Sequence, residues 1–232
     1  MPEHDRGTGP QPVRDCELRN LGFVEYGAAL ALQCDLVERR KRGEIPDQLL
    51  ILEHPHVITL GRTGHMSHLL AGEEALRRAG VSFYPTDRGG DITYHGPGQV
   101  VGYPILDLKE WKRDVVAYVR ALEQTLIDAL AEFGLAARRE PGKTGVWTQG
   151  GKIAAIGVHI SRWVTSHGFA LNVTTDLSYF QYIVPCGLVA PVTSIQAEGC
   201  RAGWDEVVAA ITRNFARVFG YRSVEAVPQE AL

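Results

Sequence analysis

The chain has 232 residues, 45% of them hydrophobic, which is enough to bury one sizeable core. Its formal net charge of -3, from 24 Lys+Arg against 27 Asp+Glu, supplies no overall basic field and argues against nucleic acid as a partner. No apolar run reaches the length of a bilayer span, and the opening "MPEHDRGTGPQPVRD" has neither a basic nor an apolar leader segment, so a soluble cytoplasmic protein without membrane contact is expected.

Residues 1–15 are polar and Pro/Gly-rich and read as a disordered lead-in to a single domain over 16–232. "YGAALALQCDLVERRKRGEIP" predicts a helix with Leu30, Cys34 and Val37 on its apolar face, stopped by Gly43 and Pro46. "DQLLILEHPHVITLGR" then reads as two short strands split by a proline, "EEALRRAG" as a short helix and "VSFYPT" as a strand. A long helix over Asp114 to Phe133, capped by Asp114, carries apolar residues at three- and four-residue steps. "GVWTQ", "KIAAIGVHI" and "WVTSHGFALNVT" are strand-like, with links too short for parallel crossovers, and a last helix runs from Trp204 to Val218. These elements imply an α/β fold of the α+β type, with a mixed, largely antiparallel sheet flanked by helices.

Several patterns are candidates for chemistry. "ARREPGKT" fits a relaxed phosphate-loop pattern, but its interior is Arg-Arg-Glu-Pro and a strand follows it instead of a helix, so its backbone is unsuited to cradling phosphate. His54, His56, His65 and His68 cluster along the chain without a metal-ligand spacing, and no metal or other cofactor is expected. The four cysteines, at 16, 34, 186 and 200, form no CxxC pair and read as free thiols in a reducing compartment. Cys34 reads as a core residue, whereas Cys186 lies between Pro185 and Gly187 in a break between apolar runs, where it is either an idle loop thiol or a nucleophile.

A nucleophilic thiol needs a base or cation beside it, and Lys152 and His95 are the candidates. Lys152 opens an apolar strand after two glycines, a placement that reads first as an ordinary solvated lysine and alternatively as one drawn into a partly dry site. His95 sits in "RGGDITYHGPGQVVGYPILDL", whose five glycines allow backbone to lie directly against a ligand, with Arg88 and His95 as polar contacts.

That stretch, together with "LLILEHPHVITLGR", "GVWTQGGKIAAIGVHI", "HGFALNVTTDL" and "IVPCG" in the same order, resembles the lipoyl(octanoyl) transferases over about residues 49–195. The resemblance implies a biotin/lipoate protein ligase-like fold and transfer of an octanoyl or lipoyl group from acyl carrier protein to a lysine. The acceptors it implies are the lipoyl domains of 2-oxoacid dehydrogenase complexes and the glycine cleavage H protein. It puts Cys186 at the acyl-thioester position and Lys152 at the activating position. It also implies an acyl site lined by Arg88, Gly89, Gly90, Asp91, Ile92, Thr93, Tyr94, His95, Ala155, Ile156, Gly157, Gly168, Phe169 and Ala170, with no ATP consumed.

An eight-carbon chain needs an apolar tunnel, for which Ile156, Val158 and Phe169 are candidates. Acyl carrier proteins being acidic, Arg39 to Arg42 or Arg138 and Arg139 are candidate docking charges, though each reads more simply as a solvated helix end. His56 stands where the family pattern leads one to expect a smaller or prolyl residue. Other readings are an ATP-using ligase of the same fold, a non-catalytic acyl-binding module, or a Cys-His hydrolase with His95 as base. A monomer is expected, since no heptad pattern is present.

Overall fold

The computed structural model describes residues 14–184 and 191–227. The expected lead-in was too long by two residues: the first strand, β1, runs Arg14–Phe23, so Arg14 and Asp15 are already paired, and residues 1–13 lie outside the described region. The chain continues through α1 (Tyr26–Lys41), β2 (Asp47–Glu53), β3 (Val57–Leu60), α2 (Glu73–Arg78), β4 (Ser82–Pro85), β5 (Ile92–His95) and β6 (Gln99–Ile105). It then forms α3 (Val115–Ala131), β7 (Val146–Trp147), β8 (Lys152–Ser161), β9 (Val164–Asn172), α4 (Trp204–Phe219) and β10 (Tyr221–Ala226).

Seven strands make one sheet in the order β10-β1-β2-β6-β9-β8-β7, and β4-β3-β5 form a second, smaller one. In the large sheet β1 pairs parallel with β2 and β10, while the remaining pairs are antiparallel, as the short links required. The β8–β9 hairpin closes on Arg162 and Trp163, both at positive φ, the geometry of a tight two-residue turn.

Helices α3 and α4 cover one face of the large sheet, burying Tyr118, Leu122, Leu126, Ile211 and Phe215 against Leu49, Ile51, Ile153 and Leu171. The Asp114 side chain accepts from the Ala117 N–H at 2.9 Å and starts α3 as expected. Helix α1 covers the opposite face with a different stripe from the expected one. Tyr26, Ala29, Gln33, Leu36, Val37 and Arg40 are buried, while Leu30 is half-buried and Cys34 is exposed. The buried residues step by three and four, but two are polar: Gln33 Oε1 accepts from the His167 N–H, and Arg40 pairs with Asp47 and Glu110.

The proposed docking charges are engaged within the chain. Arg40 is 6% exposed and ion-paired; Lys41 pairs with Glu38, Arg42 with Glu44, Arg138 with Glu140 and Arg139 with Glu123. Neither run is an uncompensated basic patch. Among the described residues, no helix is long and apolar enough to cross a membrane.

Candidate acyl-binding site

The small sheet and the glycine-rich loop stand over the α1 side of the large sheet, and a cleft of about 770 Å³, counting its open mouth, lies between them. Its floor comes from β8 and β9, where Ala155 faces Ala170 and Gly157 faces Gly168 in register, so that nearly bare backbone lines it. Ile156 and Phe169 add apolar surface, and Lys152 stands at the first residue of β8. Val158 does not line the cleft; it packs with the α3 and α4 core.

The roof is the predicted loop. Arg88, Gly90, Asp91, Ile92, Thr93 and His95 reach the cleft, whereas Gly89 and Tyr94 do not. Tyr94 is fully buried in a separate apolar cluster with Ile58, Leu76 and Ile183. There it stacks with Tyr179 and its hydroxyl meets His56 Nδ1 at 2.7 Å, while His56 stacks on Tyr179 with centroids 4.1 Å apart. Gly89 donates its N–H to Val158 O at 2.8 Å and so ties the loop to the sheet. Of the five loop glycines, Gly90 and Gly98 adopt positive φ, and Gly98 is packed so that a Cβ would fall 2.5 Å from Thr174 Oγ1.

Polar groups of the roof are held firmly. The Arg88 guanidinium donates to Thr59 O at 2.7 Å, to Thr59 Oγ1 and to Gly89 O. Asp91 meets His68 Nδ1 at 2.5 Å. His95 Nδ1 faces Gln99 Oε1 at 2.8 Å, Gln99 Nε2 donates to Asn172 Oδ1 at 2.9 Å, and Asn172 Nδ2 donates to Thr193 O. With Nδ1–H committed to Gln99, the neutral His95 ring keeps Nε2 as an acceptor.

Sequence reasoning missed Tyr26, Gln99, Tyr103, His167, Asn172, Phe180 and Val192, which also line the cleft. They come from elements far apart in the chain, and single polar or aromatic residues inside strands carry little signal. Tyr103 donates to His54 Nε2 at 2.8 Å while His54 Nδ1 donates to Val24 O, and His167 meets Asp87 at 2.8 Å. The suggested histidine cluster is thus divided among separate partners, and among the described residues no group of three His, Cys, Asp or Glu side chains could hold a metal. "ARREPGKT" runs into β7, not a helix. Cys186 lies in 185–190, outside the described residues.

Burial depresses the basicity of the histidines around the cleft, to about 4 for His54 and about 3 for His95, where the neighbouring His54 and Arg88 act in the same direction. The unfolded chain takes up protons at these residues near pH 6.5 that the folded chain refuses. Stability is therefore full above pH 6.5 and falls as the pH drops toward the folded values. Each histidine is expected to remove about 1.4 kcal/mol per pH unit across that window. Urea midpoints measured from pH 7 to pH 5 check this, and a flat profile would contradict neutral burial.

The lipoyl protein ligase A/B catalytic domain matches residues 25–216. A protein of Solibacter usitatus named octanoyltransferase is 65% identical over 209 residues, covering 90% of this chain and 95% of its own. One of that name from Koribacter versatilis is 53% identical, covering 88% and 84%. Among solved structures, lipoate-protein ligase A bound with ATP superposes with a TM-score of 0.75 at 17% identity, covering 93% of this chain and 90% of its own. The bi-partite lipoate protein ligase of Thermoplasma acidophilum gives 0.74 at 16% identity, covering 93% and 88%. The folds thus agree where the sequences have diverged, and the expected ligase-like architecture is the observed one. On the match across most of its length and on the identity to these relatives, the chain belongs to the lipoyl protein ligase A/B catalytic domain family.

Proposed function

We propose that this protein is an octanoyltransferase acting in protein lipoylation, with acyl carrier protein as donor, Cys186 as nucleophile and Lys152 as its proton partner. The observation that carries the reading is an apolar, backbone-floored cleft with a lysine at the start of its floor strand. The chain on either side of Cys186 is tied to the same place. Val184 N donates to His68 O at 2.8 Å and Lys152 N donates to Pro191 O at 2.8 Å, while Phe180 before the segment and Val192 after it line the cleft.

In the first half-reaction Lys152 takes the Cys186 proton, the thiolate attacks the octanoyl thioester, and the carrier's phosphopantetheine thiolate leaves and takes that proton from Lys152, which returns to the free amine. In the second, the amine of the acceptor lysine attacks the octanoyl-enzyme; Lys152 accepts its proton, the amide forms and the Cys186 thiol is regenerated. The donor is already a thioester, so the scheme consumes no ATP. Burial at about 0.8 kcal/mol per methylene is enough for the cleft to distinguish chains differing by a few carbons.

Incubation with octanoyl carrier protein in the absence of ATP, followed by intact mass measurement, tests the reading. One octanoyl mass is expected on the wild-type chain and none on Cys186→Ser. Absence of the adduct on the wild type would end the proposal, and octanoylation of an acceptor lysine that requires ATP and free octanoate would transfer the chain to the ligase chemistry.

A further inference from the structure

Resting on the role given above to Lys152, we propose that Trp147 is a positioning residue whose indole face holds the Lys152 ammonium and biases the Cys186–Lys152 pair toward thiolate and ammonium. Trp147 and Lys152 are direct partners across β7 and β8, immediately after a register shift between Val146 and Trp147. Opposed residues of an antiparallel pair project to the same face, which sets the ring beside the lysine. Lys152 Nζ lies 5.2 Å from the Trp147 ring centroid, within the range of a cation–π contact. The ring is 5% exposed, so little water screens that contact. Its backbone is fixed by a reciprocal pair with Arg138, whose N–H donates to Trp147 O at 2.8 Å and whose O accepts from the Trp147 N–H at 2.9 Å.

Gly145 forms a second wall. It sits at φ +132, and a Cβ there would lie 2.8 Å from Lys152 Cε and 2.6 Å from Ala154 O. Only a glycine leaves the lysine stem its path. The Gly145 N–H donates to Glu123 Oε1 at 3.2 Å, and Glu123, fully buried in α3, is neutralised by Arg120 and Arg139.

The step is a proton transfer from the Cys186 thiol to the Lys152 amine, giving thiolate and ammonium with no other reactant. A π face attracts the ammonium and not the neutral amine, so the ring favours the charged pair. Among the described residues, charged or titratable groups on the elements around the lysine include Glu123 with its two arginines, Glu198 held by Thr148 and Thr193, and Arg88, Asp91, His95, His167, Tyr26 and Tyr103 of the cleft. A Trp147 substitution leaves all of them in the chain, which isolates the ring's contribution.

The test is the pH dependence of Cys186 alkylation by iodoacetamide, read by peptide mapping so that the exposed Cys34 does not interfere. Trp147→Leu is expected to raise the midpoint by about 0.4 to 1.5 pH units, and Trp147→Phe to recover most of that shift. A lost structural element would lower the reactive fraction without moving the midpoint. If Trp147→Leu fails to fold, incorporation of fluorinated tryptophans preserves shape while weakening the π face. The midpoint should then climb with fluorine content in the wild type and stay constant in Trp147→Phe. A midpoint unmoved by Trp147→Leu or by fluorination, with Lys152→Ala still shifting it, overturns the proposal and leaves the lysine's role standing. A midpoint unmoved by Lys152→Ala overturns the pairing of Cys186 with Lys152 itself.

Discussion

Lys152→Ala is expected to slow octanoyl transfer by about 10²- to 10⁴-fold, the usual contribution of a positioned proton-transfer group, without a comparable loss of folding stability. The strand does not depend on that side chain. Its pairing is through backbone, with Lys152 N donating to Pro191 O and Lys152 O accepting from the Thr193 N–H. The measurement is single-turnover acylation by octanoyl carrier protein beside a urea titration. Lys152→Arg sharpens the result. A guanidinium keeps the positive charge that favours a thiolate yet cannot serve as a base at neutral pH. Acylation should survive in part while delivery to the acceptor amine fails. Turnover close to wild type in Lys152→Ala would move proton transfer to His95. Its surroundings disfavour that outcome, because burial and the neighbouring His54 and Arg88 hold the ring neutral and oppose its conversion to imidazolium.

What the sequence made legible follows from where its signals are local. Helix α3 announces itself through Asp114 and a continuous apolar period, and the glycine-rich loop through residues that few other structures need. Helix α1 was misread by one stripe because hydrophobicity alone cannot recognise Gln33 and Arg40 as buried; their partners, His167 and Asp47, are distant in sequence. Strands β1 and β10 were overlooked for the same reason. Their apolar alternation is short, and what defines them is parallel pairing with each other, between Arg14 and Tyr221 for example.

The site divides along the same line. Floor and roof arise from contiguous segments and were readable, whereas Tyr26, Tyr103 and His167 become part of the cleft only when α1, β6 and β9 are brought together. Residues 92–95, read as part of the glycine-rich loop, form strand β5, and Tyr94, expected at the cleft, packs into an aromatic cluster outside it. Its ring instead supports the aromatic group around Tyr179 and Phe180, just ahead of the segment bearing Cys186.

Asp47→Ala is expected to lower the unfolding free energy by about 3–5 kcal/mol, the cost of breaking a buried ionic cluster from one side. Asp47 is 3% exposed, and four donors converge on it. Oδ1 accepts from Arg40 Nε at 2.9 Å and the Asp107 N–H at 2.9 Å, while Oδ2 accepts from Arg14 at 2.5 Å and the Tyr221 hydroxyl at 2.6 Å. Those donors come from α1, β1, β10 and the chain after β6, so one carboxylate fastens both parallel strands to the sheet. Alanine would leave Arg40 with Glu110 alone, and the Tyr221 hydroxyl, still accepting from Arg14 at 2.9 Å, without an acceptor for its own proton in a dry setting. Asp47→Asn should cost less, because the amide oxygen can still accept, though its NH₂ would confront a donor. At the other end of β2, Glu53 accepts from the Gly98 N–H at 2.7 Å and steadies the glycine-rich loop. The cluster and the cleft are therefore served by opposite ends of one strand. Well below the unfolding transition, folded Asp47→Ala should consequently transfer octanoyl groups at the wild-type rate. A urea midpoint within error of wild type would mean that desolvation of these charges already cancels their attraction, and that packing alone holds the sheet's edge.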